Sequence, residues 1–516
     1  MKLSELISGL PLHPAAPPNP GNTAVDPQIG SLHIRAQNVQ PGGLFIAIRG
    51  LAADGHDFVE TALENGAAAV VAQLRLPLPP EIALVLSQDS RADLSALAAR
   101  FYGAPSEAMT LIGITGTNGK TTTSYLIEGI LRAAGYTTGV IGTVNYRYAG
   151  RVFDNPVTTP ESLDLQRILA EMRAAAVTHV VLEVSSHALD LHRVDHCAFD
   201  VGVFTNFSQD HLDYHKTMAS YWTSKRKLFV ELLPKGPKSA RAVAVVNTDD
   251  PRGAELMQLE NLRRISVGID PSNDVRPERQ QQDLSGFQGR LHTPLGPLAL
   301  RSPLVGRHNR ENILCAVGAA VALELPLDSI RRGIETTSRI PGRLEPVSDR
   351  PDYNIYVDYA HTPDALENVI RSLRSVLTGK LICVFGCGGD RDRGKRPLMG
   401  RIAAGSCDLA VVTSDNPRSE PPMQIIEQVL AGVLEVAGRQ YRPGELDGGV
   451  PQSGYVVEPD RRRAIALAIR AAGPKDVVLI AGKGHETYQI LKDRTIHFDD
   501  REEARRVLSE IDGGRK

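Results

Sequence analysis

The sequence has no long apolar run, almost no net charge and little cysteine. No stretch of its 516 residues approaches the roughly 18 to 20 consecutive apolar residues that cross a membrane, and residues 1–10 lack a sustained apolar segment. A formal net charge of −2 provides no general attraction for nucleic acid or for an anionic membrane. These absences predict a cytoplasmic protein without nucleic-acid or membrane partners, in which local sites hold any anionic ligand.

The five cysteines are odd in number and lack the paired spacing of a zinc site. In a cytoplasmic protein such thiols stay reduced. We therefore predict buried thiols without a chemical role at Cys197, Cys315, Cys383, Cys387 and Cys407.

A chain of this length exceeds what one hydrophobic core usually organises. Short apolar runs alternate with helical patterns along it, which is typical of largely parallel, doubly wound α/β sheets. The Pro-, Gly- and Asn-rich stretch from Leu10 to Pro27 predicts an irregular lead-in. The predicted domains are a small N-terminal α/β domain at 1–106, a central P-loop ATPase-like doubly wound sheet at 107–338, and a Rossmann-like C-terminal α/β domain at 339–516.

The strongest local motif is a glycine-rich turn between the apolar run Leu111–Thr115 and a helical pattern. Backbone amides at a helix N-terminus, an ammonium group and a hydroxyl group there can converge on phosphates and their Mg2+. Ile114 stands where the longer phosphate-loop pattern has its first glycine, but the strand-turn-helix context still predicts an ATP or GTP site. Its residues are Gly116, Thr117, Asn118, Gly119, Lys120, Thr121 and Thr122.

Acidic and imidazole side chains follow two later strand-like runs. Glu183 begins Glu-Val-Ser-Ser-His, and a second run, Asp-His-Leu-Asp-Tyr-His, spans residues 210–215. A lone histidine is more often a hydrogen-bonded structural residue than a ligand. Combined with a phosphate loop, however, the two runs favour a metal site.

In this order, these motifs resemble the Mur ligase family, and the resemblance extends from Val39 nearly to the C-terminus. It implies a monomeric ATP-dependent amide ligase whose Mg2+ is held by Thr121, Glu183, His211 and a carbamylated Lys225. In the bare sequence Lys225 would be a solvated residue of a charged helix. The resemblance implies catalytic roles for Lys120, Lys225, Arg343 and His211.

The resemblance also implies contacts to the nucleotide. Asn309 and Asn312 match the pair that faces adenine, Arg343 lies near the phosphates, and Asp358 lies near the ribose. The alternative interpretation is a hinge turn at Arg343 and an ordinary strand end at Asp358.

The C-terminal motif Asp415-Asn416-Pro417-Arg418 resembles that of the family members that add meso-diaminopimelate. Diaminopimelate has one carboxylate more than lysine, and an arginine can bind a carboxylate with two parallel hydrogen bonds. Arg418 is the candidate for that contact. The remaining predicted amino-acid contacts are Arg391, Gly482 and Glu486.

Such ligases extend a nucleotide-linked muramoyl dipeptide. The family residues that hold it are matched here by Thr158, Thr159, Ser185 and Arg193. Two positions depart from the family pattern. Arg35-Ala36-Gln37 replaces a frequent Asp-Ser-Arg whose serine touches uridine, and Leu191 replaces a common glutamine. These departures imply altered contacts to the precursor.

Three alternatives remain open at this point. The same ligase could use lysine or another diamino acid. The chain could be a folylpolyglutamate-synthase-like ligase, which shares the core architecture but is disfavoured by the motif at Asp415–Arg418. It could also be a nucleotide-binding protein that has lost ligation.

Overall fold

The computed structural model describes residues 1–15, 25–50, 53–348, 353–446 and 448–513. Contacts divide the chain into two compact units. Among the described residues, every helix is too short or too polar to span a membrane. The first unit comprises Met1–Lys120, Leu131–Val267 and Gly318–Glu324, and the second comprises Thr121–Ile130, Gly268–Val317 and Leu325–Lys516.

The first unit begins with a mostly parallel sheet. Its strands are β1 (His13–Pro14), β2 (Ser31–His33), β3 (Gly43–Ile46), β4 (Ala67–Ala72) and β5 (Ala83–Leu86), and its helices are α1 (Leu3–Ile7), α2 (Val59–Glu64) and α3 (Ser90–Phe101). The strand order is β1-β5-β4-β3-β2, and only the β1–β5 pair is antiparallel. The strands β3 and β4 read as continuous apolar runs because both of their faces are buried.

The second sheet of this unit carries the phosphate loop. Its strands are β6 (Thr110–Thr115), β7 (Thr138–Ile141), β8 (Tyr146–Tyr148), β9 (Arg151–Phe153), β10 (His179–Glu183), β11 (Val201–Phe204), β12 (Val243–Asn247) and β13 (Arg263–Val267). The order is β13-β12-β11-β6-β10-β7-β8-β9, parallel from β13 to β7. Because β6 lies between β10 and β11, the loops after all three strands meet at one edge, where open α/β sheets bind ligands.

Helices connect the strands of this sheet along the chain. They are α4 (Lys120–Ala133), α5 (Ser162–Ala174), α6 (Ser186–Asp190), α7 (Leu212–His215), α8 (Met218–Lys227), α9 (Leu233–Lys235) and α10 (Pro251–Leu256). Ser185 caps α6 by accepting a hydrogen bond from the amide of Ala188 at 3.1 Å, and Thr217 caps α8 through Ser220.

The second unit contains an antiparallel sheet and a larger, mostly parallel sheet. The antiparallel strands are β14 (Arg276–Asp283), β15 (Gly286–His292) and β16 (Leu298–Ser302), followed by α11 (Arg307–Ala322) and α12 (Leu327–Thr336). The larger sheet has the strands β17 (Glu345–Pro346), β18 (Asn354–Asp358), β19 (Leu381–Phe385), β20 (Leu409–Val412), β21 (Gln440–Tyr441), β22 (Gly454–Val457) and β23 (Val477–Ala481). Their order is β17-β18-β23-β19-β20-β22-β21, and β17 is antiparallel to β18.

Helices and a hairpin complete the second unit. They are α13 (Pro363–Arg374), α14 (Lys395–Ser406), α15 (Pro422–Val433), α16 (Arg461–Ala471), the hairpin β24 (Tyr488–Ile490) and β25 (Thr495–His497), and α17 (Asp500–Gly513). The predicted doubly wound α/β architecture is confirmed. The lead-in prediction is only partly tested because residues 16–24 lie outside the described residues, but it is wrong for His13–Pro14, which forms β1.

A buried ion pair fixes the segment that enters the phosphate-binding sheet. Lys238 Nζ donates to Asp200 Oδ2 at 2.6 Å and to the carbonyl oxygens of Ser106 at 2.8 Å and Met109 at 2.5 Å. The same Asp200 oxygen accepts the amide of Leu111 at 2.8 Å. The pair therefore ties the start of β6 to the segment that precedes it.

Replacing Lys238 by methionine should remove the buried ion-pair partner of Asp200 and leave only the exposed Arg241, at 2.9 Å, to pair with its carboxylate. Removing one member of a buried ion pair costs about 3–5 kcal/mol. We expect Lys238→Met to lower the melting temperature of this unit in differential scanning calorimetry. The control Lys235→Met removes an exposed lysine from the same segment and should leave the transition in place. Equal melting temperatures for the two variants would contradict this role.

Candidate active site

The phosphate loop has no room for a side chain at its first glycine. Gly116 has φ 148°, and a Cβ atom there would lie 1.9 Å from Thr205 Oγ1 and 3.0 Å from the backbone N and O of Asn206. The loop after β6 is therefore in direct backbone contact with the loop after β11.

Asn206 holds the next two loop residues. Its carbonyl oxygen accepts the amide of Thr117 at 2.9 Å, and its Oδ1 accepts the amide of Asn118 at 2.9 Å. Thr205 Oγ1 donates to the carbonyl of Asn118 at 2.6 Å. These bonds fix the loop backbone in the conformation that precedes α4.

Lys120, the first residue of α4, folds back over this loop. Its Nζ donates to the carbonyl oxygens of Gly116 at 2.9 Å and Thr117 at 2.8 Å. Thr121 and Thr122 follow it and are buried. A lysine and a hydroxyl at a helix N-terminus are the groups that bind phosphates and their cation.

Lys225 lies beneath the same loop. Its side chain is only 1% exposed, and its Nζ donates to the carbonyl of Gly116 at 2.7 Å and lies 4.6 Å from the ring centroid of Tyr221. Burial holds the pKa of Lys225 well below its usual range, and the neighbouring charge of Lys120 adds to this effect. The environment therefore favours a neutral, nucleophilic amine.

The predicted metal ligands of the first unit lie on separate elements. Glu183 is buried at the end of β10, where Thr143 donates its hydroxyl at 2.8 Å and its amide at 3.2 Å to the carboxylate. His211 is half-exposed, and its ring centroid lies 4.9 Å from that of His187 and 5.9 Å from that of Tyr221. Tyr221 thus contacts both His211 and Lys225.

The electrostatic surroundings of His211 favour its neutral form. Partial removal of the ring from water lowers the pKa of His211, and Lys120 and Lys225 add to this, while Asp210 opposes it. In the described part of the chain, no three His, Cys, Asp or Glu side chains are grouped as a metal site. The predicted ligand set includes only two side chains of those types.

The predicted precursor-binding residues form one hydrogen-bonded group. Thr159 Oγ1 donates to the carbonyl of Glu183 at 2.7 Å and accepts the amide of Ser185 at 3.0 Å. Arg193 Nη1 donates to the carbonyl of Thr159 at 2.9 Å. Thr158 joins the group through a 3.1 Å bond between its Oγ1 and that of Thr143.

A cavity of about 270 Å3 in the N-terminal part of the first unit is lined by residues at which the sequence departs from the family pattern. Arg35, Ala36 and Gln37 contribute to its wall, together with Arg91 and Glu161. Arg91 Nη1 donates to Glu161 Oε2 at 3.0 Å, so part of the wall is a fixed ion pair.

In the second unit, Arg343 lies beside the first turn of α4. Its Nη2 donates to Thr121 Oγ1 at 3.3 Å, and its guanidinium lies 5.2 Å from the ring centroid of Tyr359. Asp358 Oδ2 accepts the amide of Leu344 at 2.7 Å. Burial raises the pKa of Asp358, and the nearby charge of Arg343 opposes this shift. Because it accepts the amide of Leu344, the carboxylate also anchors the turn that carries Arg343.

Asn309 and Asn312 lie in the first two turns of α11 and are both buried. Asn312 Nδ2 donates to Asn309 Oδ1 at 3.1 Å, and Thr123 Oγ1 lies 3.4 Å from Asn312 Oδ1. The pair is therefore next to the helix that follows the phosphate loop.

The predicted amino-acid contacts lie in loops after β19, β20 and β23. Arg418 has φ 52°, and its Nη1 donates to the carbonyl oxygens of Gly389 at 2.9 Å and Asn416 at 3.4 Å. Gly482 has φ 117°, and a Cβ atom there would lie 2.5 Å from Asp415 Oδ2. These contacts hold the three loops together.

The two remaining predicted contacts, Glu486 and Arg391, differ in their surroundings. Asn416 Nδ2 donates to Glu486 Oε2 at 2.9 Å, whereas Arg391 is exposed and its Nη1 contacts the carbonyl of Asp390 at 3.2 Å. Pro417 is buried, and its carbonyl leaves no room for a side chain at Gly389.

Three family models match successive parts of the chain. The Mur ligase family catalytic domain matches residues 28–102, the Mur ligase middle domain matches 114–320, and the Mur ligase glutamate ligase domain matches 342–484. A UDP-N-acetylmuramoyl-L-alanyl-D-glutamate–2,6-diaminopimelate ligase from Geobacter metallireducens is 48% identical over 484 residues, covering 94% of this chain and 95% of the relative. The chain belongs to the Mur ligase family.

Solved structures agree with this assignment. A structure of a ligase with the same name as the Geobacter protein has a TM-score of 0.67 and 31% identity, and the match covers 94% of this Mur ligase and 95% of that chain. A folylpolyglutamate synthase from Mycobacterium tuberculosis has a TM-score of 0.58 at 19% identity, covering 76% of this chain and 92% of the other. The second likeness concerns the fold alone.

In each unit of this Mur ligase, some residues beside the predicted contacts were not assigned a role from the sequence. Asn206 lies in the loop after β11, and in the sequence it is indistinguishable from an ordinary polar loop residue. Lys483 and Arg461 are both fully buried, and Arg461 forms an ion pair with Asp500 at 2.7 Å. Charged residues are seldom buried, so sequence alone predicts exposure for both.

Gly116→Ala should weaken nucleotide binding because the added methyl group would collide with Thr205 and Asn206 and displace the loop. We expect the affinity for ATP with Mg2+ in isothermal titration calorimetry to fall by roughly tenfold or more, the equivalent of about 1.4 kcal/mol. Gly438→Ala is the control, since its added methyl group meets no atom within 4 Å. Unchanged affinity in Gly116→Ala would show that the contact does not control the loop.

Proposed function

We infer that this chain is an ADP-forming ligase that adds meso-2,6-diaminopimelate to UDP-N-acetylmuramoyl-L-alanyl-D-glutamate in peptidoglycan precursor synthesis. The observation that carries this inference is the loop Asp415–Arg418, which combines carboxylate, amide and guanidinium groups and bonds to the loop that contains Glu486. The relative with 48% identity and nearly full coverage bears the name of this reaction.

In the proposed reaction, the terminal glutamate carboxylate of the precursor attacks the γ-phosphorus of ATP and releases ADP. The amine of the acceptor then displaces phosphate from the acyl phosphate and forms the amide. Lys120 and Arg343 would neutralise charge on the transferred phosphoryl group, a contribution that depends on positioning rather than on a protein nucleophile. The loop at Gly116–Thr122 would hold the phosphates, and Asn309, Asn312 and Asp358 would hold the nucleoside.

Mg2+ would be held by Thr121, Glu183, His211 and carbamylated Lys225. The buried amine of Lys225 supports this assignment, because its surroundings favour the neutral form that adds CO2 and loses a proton to give a carbamate. Glu183 supports it as a buried carboxylate at the end of β10. When bound, the cation supplies positive charge to the phosphate oxygens.

The acceptor would be held by charge complementarity. Arg418 and Arg391 would bind its carboxylates, and Asp415 and Glu486 would bind an ammonium group. A guanidinium has five donors, so the two carbonyl contacts of Arg418 leave capacity for a carboxylate. Gly482 allows the backbone to approach Asp415, and Asn416 and Pro417 shape the same loop.

The precursor would contact Thr158, Thr159, Ser185 and Arg193. We propose that the cavity beside Arg35–Gln37 receives the nucleotide end of the precursor, with contacts altered by the departures at these positions and at Leu191. We also propose a cytoplasmic monomer without nucleic-acid or membrane partners. The proposed division into domains at 1–106, 107–338 and 339–516 is supported by the ranges of the three family models.

Phosphate release tests the function and the acceptor together. Purified protein with ATP, Mg2+ and the precursor should release phosphate when meso-diaminopimelate is added and much less when L-lysine is added. Release with lysine alone would retain the ligase but overturn the acceptor assignment. No release with either would argue against ligation of this precursor.

The variant Arg418→Met should raise the KM for diaminopimelate. Losing hydrogen bonds between a guanidinium and a carboxylate costs about 1.5–3 kcal/mol, or roughly 10- to 150-fold. Steady-state kinetics with diaminopimelate as the varied substrate measure the change. The control Arg470→Met removes a half-exposed arginine from α16 that pairs with Glu510 and should have the wild-type KM. A wild-type KM in Arg418→Met would exclude the proposed contact.

A further inference from the structure

Lys483 is completely buried in the loop after β23, within the group of residues proposed to bind the acceptor. Its exposed fraction is 0%, and its Nζ donates to Glu486 Oε2 at 3.1 Å, to Asn416 Oδ1 at 3.3 Å and to the carbonyl oxygen of Tyr488. A buried ammonium group needs such compensation. Two of its three partners are side chains of the proposed amino-acid site.

The contacts of Lys483 close a three-membered network. Asn416 Nδ2 donates to the same Glu486 oxygen that Lys483 contacts, at 2.9 Å. Asn416 Oδ1 also accepts the amide of Ile490 at 2.9 Å. Lys483 is therefore the cation that joins the loop after β20, the loop after β23 and strand β24.

This network sets the orientation in which the Glu486 carboxylate can contact a ligand. Two donors converge on Oε2, which fixes the orientation of the carboxylate. Asp415 is nearby, with its Oδ1 accepting the amide of Asn416 at 2.6 Å. Without Lys483, Glu486 Oε2 would lose one of its two donors, and the carboxylate would be held less firmly in this orientation.

We propose that Lys483 is a positioning residue for the amino-acid acceptor, which orients Asn416 and Glu486 so that the carboxylate can bind the acceptor's ammonium group. This inference rests on the proposed function, because it takes Glu486 as an acceptor contact. It assigns to Lys483 an effect on one substrate, whereas a purely structural lysine would affect all substrates alike.

The test compares Lys483→Met, which keeps most of the length of the side chain and removes its charge, with wild type. We expect the KM for diaminopimelate to rise roughly 10- to 100-fold, the range for losing charged hydrogen bonds. The KM values for ATP and the precursor should stay within about twofold, and kcat at saturating diaminopimelate should be largely retained. A uniform change in all three KM values, or no change, would overturn the proposal.

A double-mutant cycle tests whether Lys483 acts through Glu486. If it does, Lys483→Met combined with Glu486→Gln should raise the KM for diaminopimelate no further than the more severe single variant. Effects that multiply would overturn the proposal. The matched control is Lys238→Met, which removes another buried lysine bonded to a carboxylate and carbonyl groups, and should lower stability without changing the KM for diaminopimelate.

Two further outcomes are informative. Lys483→Gln keeps one amide donor and should give an intermediate KM, and loss of folded protein in both Lys483 variants would overturn the proposal in favour of a structural role. Wild-type turnover of lysine instead of diaminopimelate would overturn the acceptor assignment alone. The KM values of the Lys483 variants, measured with free L-lysine as the acceptor, would then still test the role of Lys483.

Discussion

The close approach of two backbone segments at Gly116 is the constraint on which the site depends. Because β6 lies between β10 and β11, the loops that follow these strands must share one sheet edge. Gly116 permits the loops after β6 and β11 to touch, and Asn206 then fixes two successive amides of the phosphate loop. The carbonyl of Gly116 in turn accepts hydrogen bonds from both Lys120 and Lys225. The position of Gly116 therefore helps to fix the ammonium groups of both lysines.

Buried lysines in this chain are stabilised in different ways. Lys238 and Lys483 each contact a carboxylate and remain suited to a structural or positioning role as cations. The bonded partner of Lys225 is instead a carbonyl group, with Lys120 nearby, so its surroundings penalise a positive charge. Buried lysines of this chain therefore differ in chemistry according to whether the hydrogen-bond partners of the ammonium group include a carboxylate.

Sequence patterns predicted the central strands closely because parallel strands buried on both faces must be apolar throughout. The apolar run at Leu111–Thr115, for example, matches β6 within one residue. Exposed antiparallel strands left no such signal: β14 has the sequence Arg-Pro-Glu-Arg-Gln-Gln-Gln-Asp and reads as a polar loop. Hydrophobic pattern reports burial, so it cannot reveal strands that remain in water.

The site was predictable to the extent that its residues stand in contiguous motifs. The phosphate loop and Asp415–Arg418 are such motifs, and their positions after strands follow from the apolar runs before them. Lys483 stands beside assigned residues, yet its role depends on burial and on Asn416, which lies in a different loop. Contacts of this kind are set by tertiary structure and are invisible in a single sequence.

The backbone of Arg418 has a consequence for protein engineering. A left-handed conformation costs a non-glycine residue about 1–2 kcal/mol, and asparagine or glycine relieves much of that cost. Arg418→Gly and Arg418→Asn would relieve that cost, but both would also remove the guanidinium bonds to Gly389 and Asn416 that hold the loops together. An engineer who relaxes this backbone therefore gives up loop contacts and the proposed acceptor contact in the same step.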